Sequence, residues 1–136
     1  MKRIVIFCGV FIVFGCAGVQ KGNWMGYGSN EVGFYYYDQQ SIARPSKNIV
    51  RVSNKIVFTV QGVNTMVERL GKTYENLSYE ISLKEINCAN KTQRWVSTTP
   101  YSEKGGRLHT LSDMEEGWES IPPDTLSYTL FEKACN

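Results

Sequence analysis

The stretch Val50-Arg51-Val52-Ser53-Asn54-Lys55-Ile56-Val57-Phe58-Thr59-Val60 decides the fold class. Its even positions are Val50, Val52, Asn54, Ile56, Phe58 and Val60, and all but Asn54 are apolar. The odd positions include Arg51, Ser53, Lys55 and Thr59. Successive side chains of a β-strand point to opposite faces of the sheet. This alternation therefore predicts a strand with one buried face and one wet face.

Upstream, Arg44-Pro45-Ser46-Lys47-Asn48 reads as a polar turn. Phe34 to Tyr37 is a dense aromatic strand, and Asp38-Gln39-Gln40-Ser41 turns the chain so that Ile42 packs back. Trp24 to Ser29, with glycines at 26 and 28, reads as an opening strand. Downstream, Val63 to Glu75 is ambiguous: Met66, Val67 and Leu70 mark either one short helical turn or an irregular excursion ended by Gly71. Leu77, Tyr79, Ile81 and Leu83 restart the alternation. Ile86 and Cys88 have the other parity, which predicts a bulge near Lys84 or Glu85.

Asn90-Lys91 makes a turn, and Thr92 to Tyr101 is the next strand, with Trp95 within it. Glu103-Lys104-Gly105-Gly106 is a hairpin turn, and Arg107 to Leu111 returns as a short strand. Short strands joined by tight turns argue for an antiparallel sheet. The period then changes. Ile121-Pro122-Pro123-Asp124 starts a helix, with Asp124 able to cap it. Leu126, Leu130 and Ala134, with Phe131 beside them, form an apolar stripe that should lie on the sheet. The expected class is α+β: an antiparallel sheet of about five to six strands with a C-terminal helix packed on it.

The chain has 136 residues, enough for one domain. With 42% hydrophobic and 21% charged residues it has a globular balance rather than that of a disordered chain. Lys2 and Arg3 are two of the 15 cations, and the thirteen that remain equal the 13 acids. A nucleic-acid binder would show a basic surplus, so nucleic acid is not an expected partner.

The N-terminus reads as an address and an anchor. Lys2 and Arg3 precede an apolar run, Ile4 to Phe14, interrupted only by Gly9. It is about half the roughly 20 residues a spanning helix needs, and fits the hydrophobic region of a secretory signal. Val13-Phe14-Gly15-Cys16 resembles the bacterial lipobox. That resemblance implies cleavage after residue 15 and a diacylglycerol on Cys16. Ala17 after the Cys implies outer-membrane delivery. The alternative is an ordinary signal in which the cysteine is incidental. The expected layout is a signal at 1–15, a lipidated Cys and short tether at 16–23, and a domain at 24–136. Seven tether residues, Ala17 to Asn23, reach about 25 Å when fully extended, which keeps the domain close to the bilayer.

Of the four cysteines, Cys8 lies in the signal and Cys16 at the lipid site. Cys88 and Cys135 remain, and an oxidising compartment makes a disulfide the default reading. A metal site is the alternative, but it lacks a Cys-x-x-Cys pair, and His109 is the only histidine.

An enzyme is not expected. His109 between Leu108 and Thr110 reads as a strand residue, and although Asp113 is near, nothing places a serine beside it. Glu115-Glu116 reads as a solvated loop. No glycine-rich phosphate motif is present and no cofactor or metal is expected. Two features suit a contact surface instead. In the aromatic run Phe34 and Tyr36 share one face, and Tyr35 and Tyr37 the other. Both faces pack internally, or one pair forms a contact patch or homodimer seam. Arg51 and Lys55 lie on the polar face of the 50–60 strand, either simply solvated or as a basic strip that meets an acidic segment of a partner.

The ordered features resemble the surface-adhesin protein E family of small bacterial lipoproteins. They are Trp24, Tyr36-Tyr37-Asp38 with Ser41-Ile42, and Ile49-Val50-Arg51-Val52 through Lys55. Then come Tyr79-Glu80-Ile81 through Ile86-Asn87-Cys88, followed by Arg94 and Tyr101. Trp118, Ile121-Pro122-Pro123 and Ala134-Cys135 close the set. After the Cys this chain keeps only Lys91 and Arg94 of a more basic stretch. The resemblance covers about residues 24 to 135. It implies a curved antiparallel sheet, a C-terminal helix tied by a disulfide, and surface attachment. It also implies binding of host matrix proteins such as laminin and vitronectin; the alternative is another envelope protein. The residues expected to carry contacts are Tyr35, Tyr37, Arg51, Lys55 and Arg94.

Overall fold

The structure, a computed structural model, describes residues 22–108, 111–112 and 117–136. Among the described residues eight strands form one antiparallel sheet: β1 (Trp24–Ser29), β2 (Gly33–Asp38), β3 (Ala43–Ser46), β4 (Ile49–Phe58), β5 (Leu77–Asn87), β6 (Thr92–Ser102), β7 (Leu111–Ser112) and β8 (Glu119–Ser120). The order across the sheet is β1-β2-β4-β5-β6-β7, with β3 also paired to β4 and β8 to β6. The helices are α1 (Val60–Leu70) and α2 (Leu126–Cys135). The excess over five or six strands comes from β3, β7 and β8, which are four, two and two residues long. Such short pairings leave no periodicity to read. β3 runs through Arg44 and Pro45, which read as a turn. Of the expected return strand from Arg107, the described residues show an isolated bridge from Arg107 to Tyr101 and then β7.

The alternation in β4 places Val50 and Val52 in the core, where they meet Tyr37, Ile86, Ile121, Leu130 and Ala134. The stripe on α2 therefore lies on the sheet as expected, with Leu130 and Ala134 buried. Gly28 in β1 lets the helix approach: an added Cβ would stand 2.3 Å from Leu126 Cδ2. The helix cap differs from the expectation. Thr125 accepts the hydrogen bond from Tyr128 N–H, while Asp124 sits at φ +60° in the turn before it. The Cys88–Cys135 disulfide, with Cα atoms 5.8 Å apart, ties the end of α2 to the residue after β5. In the chain-entropy picture a loop of this length contributes about 4 kcal/mol.

Two expectations fail for physical reasons. The β4 strand stops at Phe58, because Thr59 turns the chain and caps α1 through its hydroxyl, accepting from Gly62 N–H. The region from 63 is thus part of a three-turn helix, ended by Gly71 at φ +102°. In β5 Leu77 is buried as expected, but beyond it the buried residues are Ser82, Lys84, Glu85 and Ile86, while Tyr79, Ile81 and Leu83 are half-buried. The register sets Ile86 opposite Val50 and Lys84 opposite Val52, which commits the even residues to the helix side. The phase slip occurs at Ser78, where β5 carries one extra residue against β6. The irregularity beside Lys84 exists, but its extra residue is Val96 in β6.

Candidate binding surface

Antiparallel register puts directly opposed residues on the same face. On the face turned away from α2, four cross-strand rows follow. Arg51, Glu85 and Arg94 form one; Ser53, Leu83 and Ser97 the next; Tyr36, Lys55, Ile81 and Thr99 a third. Phe34, Val57, Tyr79 and Tyr101 make a fourth, aromatic row.

Glu85 is the keystone of the first row. Its Oε2 accepts from Arg51 Nη2 at 2.9 Å, and its Oε1 accepts from Arg94 Nε at 2.9 Å and Nη2 at 2.6 Å. The carboxylate is 5% exposed and each arginine 43%. Burial by itself pushes the Glu85 carboxyl up. The hydrogen bonds and charges of Arg94 and Arg51 outweigh it and hold the group below the ordinary carboxylate range. The negative charge is thus beneath the surface and the guanidiniums face out. Arg94 also lies 4.7 Å from the ring centroid of Trp118. In the third row Lys55 Nζ is 4.7 Å from the Tyr79 ring and 5.5 Å from the Trp24 ring. Tyr79 stacks on Tyr101 at 4.9 Å, with 10° between ring planes. These contacts hold cations in fixed positions over π faces.

The helix-side face is buried and polar at its centre. Asn54, Ser82 and Thr98 form a cross-strand row. Ser82 Oγ and Thr98 Oγ1 are 3.1 Å apart, and Tyr27 donates to Asn54 Oδ1 at 2.5 Å. Burial, with a smaller push from Tyr35, raises the Tyr27 phenol well above its usual value. Burial also raises Glu80, against a hydrogen bond from Ser82. Lys84 donates to Gln93 Oε1 at 3.2 Å, and Gln93 donates to Glu119 Oε1 and Ser127 Oγ.

The structure brings together Arg51, Lys55 and Arg94 on one face and separates Tyr35 and Tyr37 from them. Tyr37 is 7% exposed and belongs to the core, so it is not a contact residue. Tyr35 is half-buried on the helix side, 6.0 Å from the Tyr27 ring. The aromatic pair on the basic face is Phe34 and Tyr36, with Phe34 51% exposed. Sequence reasoning missed Glu85, Trp24, Tyr79 and Trp118 as members of this surface. The shared parity of Tyr79 and Glu85 in β5 was the available signal. Cys16, His109, Asp113, Glu115 and Glu116 lie outside the described residues. Among the described residues no helix is long and apolar enough to cross a membrane, and no cluster of His, Cys, Asp or Glu could hold a metal ion.

The family described as surface-adhesin protein E matches residues 24–136. No curated protein sequence matches the chain significantly. Solved structures similar to this chain include protein E from non-typeable Haemophilus influenzae. It is 25% identical with a TM-score of 0.59, covering 88% of this chain and 78% of that one. Crystal form II of Haemophilus influenzae protein E is 25% identical with a TM-score of 0.55, covering 74% and 79%. The selenomethionine form is 24% identical with a TM-score of 0.60, covering 86% and 88%. With the match running from Trp24 to the last residue and the sheet, helix and disulfide in place, the chain belongs to the surface-adhesin protein E family.

Proposed function

We propose that this protein is a lipid-anchored bacterial outer-membrane lipoprotein and a non-enzymatic adhesin. Its partners are extracellular-matrix proteins such as laminin or vitronectin. The observation that supports this reading is the half-exposed sheet face on which Arg51, Arg94 and Lys55 are held by Glu85, Trp118, Trp24 and Tyr79. Arg and aromatic residues are the side chains that contribute most at protein interfaces. Cys16 carries the lipid in this reading. Two or more acyl chains hold a protein stably on a bilayer, where one does so only marginally.

Full-length protein in detergent is tested for binding to immobilised laminin and vitronectin across a salt series. Saturable binding that weakens with salt is the expected result. No binding to either removes the matrix-protein reading. Cys16→Ala should release the protein from membranes, and continued retention would count against the lipid anchor.

A second reading is favoured by the short tether, which keeps the domain near the bilayer. It is a periplasm-facing lipoprotein that binds another envelope component. Protease added to intact cells separates the two: cleavage of the domain supports the adhesin, full protection the envelope partner.

A further inference from the structure

We propose that the sheet face carrying Arg51, Lys55 and Arg94 binds a sulfated glycosaminoglycan chain, a reading that rests on the adhesin assignment and names the chemistry of its ligand. Four observations point to it. The first is outward charge. Glu85 is buried with both oxygens occupied, so the groups presented outward in that row are two guanidiniums. Among the described residues one terminal nitrogen of each arginine has no hydrogen-bond partner, which leaves donors for a sulfate or carboxylate.

The second is spacing. Lys55 lies four residues from Arg51 along β4, about 13 Å away on the same face. Cations at that separation suit a polymer with repeated anionic groups better than a single small anion. The third is the surface between them. Ser53, Ser97 and Thr99 are short and hydroxylated, and Ile81 and Leu83 complete a half-buried floor without a bulky side chain. The fourth is the aromatic end, where Trp24, Tyr36, Tyr79 and Tyr101 cluster around Lys55. Pyranose rings pack their C–H faces on aromatic rings. A surface that offers rings and cations side by side therefore matches a sulfated sugar polymer better than a bare polyanion.

The test uses full-length protein in detergent and heparin as the probe, with the ring-free polyanion poly(vinyl sulfate) alongside. Lys55→Gln and Arg94→Gln should each weaken heparin binding about three- to tenfold and lower its salt dependence. Lys104→Gln and Lys133→Gln, in the β6 hairpin turn and on α2, should change it less than about twofold. Trp24→Leu should weaken heparin more than poly(vinyl sulfate), which has sulfates but no sugar ring. Melting curves confirm that each variant folds; if Arg94→Gln does not, Lys55→Gln decides. The proposal is overturned by absence of heparin binding at low salt, by equal losses in the face and control variants, or by equal loss of both polymers in Trp24→Leu. Heparin failure with laminin or vitronectin binding intact would remove the glycan ligand and leave the adhesin reading standing. Heparin binding alone would do the reverse for the matrix-protein reading.

Discussion

The ammonium of Lys84 lies 3.9 Å from the centroid of the Trp95 ring, on the side of the sheet that α2 covers, and the residue is 2% exposed. Burial pushes the Lys84 ammonium down to about 8, with the Glu119 carboxylate opposing part of the shift. Between about pH 8 and the ordinary lysine value, the unfolded chain binds a proton that the folded one has released. Stability must therefore rise with pH over that window. Chemical denaturation should show a gain of about 2 kcal/mol from pH 8 to 9.5. Above pH 10 the raised Tyr27 phenol acts in the opposite sense, because the unfolded chain loses that proton first. Lys84→Met should be more stable at pH 7 by about 1–3 kcal/mol and should flatten the rise. A flat profile in the unsubstituted protein would show that the lysine stays charged when folded.

Glu85→Gln should destabilise the fold by about 1–2 kcal/mol at pH 7, less than for a fully buried pair because both arginines reach water. The folded carboxyl is held below the ordinary range, so its contribution is present above the unfolded value. It is lost as pH falls through the folded value. Denaturation midpoints at pH 7 and pH 3 should therefore differ less in Glu85→Gln than in the parent. Equal acid sensitivity would place the effect on other carboxylates.

Cys88→Ser should cost about 4 kcal/mol, and dithiothreitol should bring the parent protein down to the same midpoint. A variant as stable as the parent under oxidising conditions would mean that α2 is held by its apolar stripe alone.

Gly62→Ala should destabilise by about 1–3 kcal/mol, since the new Cβ would lie 1.9 Å from the Val32 carbonyl oxygen and backbone must move. Gly28→Ala meets only the Leu126 side chain, which can rotate, and should cost less. The reverse order would place the tight approach at the α2 contact instead of the start of α1.

Local pattern carried much of the fold. Strands β1, β2, β4 and β6, the hairpin turn at 103–106 and α2 all announce themselves by alternation, glycine placement or a four-residue stripe. The α1 helix did not, because Val60 continues the parity of β4 while the capping role of Thr59 depends on where the chain turns. Arg51 and Lys55 were legible as one face from their spacing alone. The core position of Tyr37 was not legible, because an aromatic run looks the same whichever face is covered.

Residue order alone established an antiparallel sheet with a terminal helix, the two cysteines that tie them, and one basic side of one strand. These follow from period, turn chemistry and compartment, which are properties of neighbours along the chain. Which side of β5 is buried, and hence that Lys84 is interior while Glu85 locks two arginines on the outer face, was decided only by register. That register is set by pairing Ile86 with Val50 across strands far apart in the chain. A shift of one residue would reverse every side chain of β5.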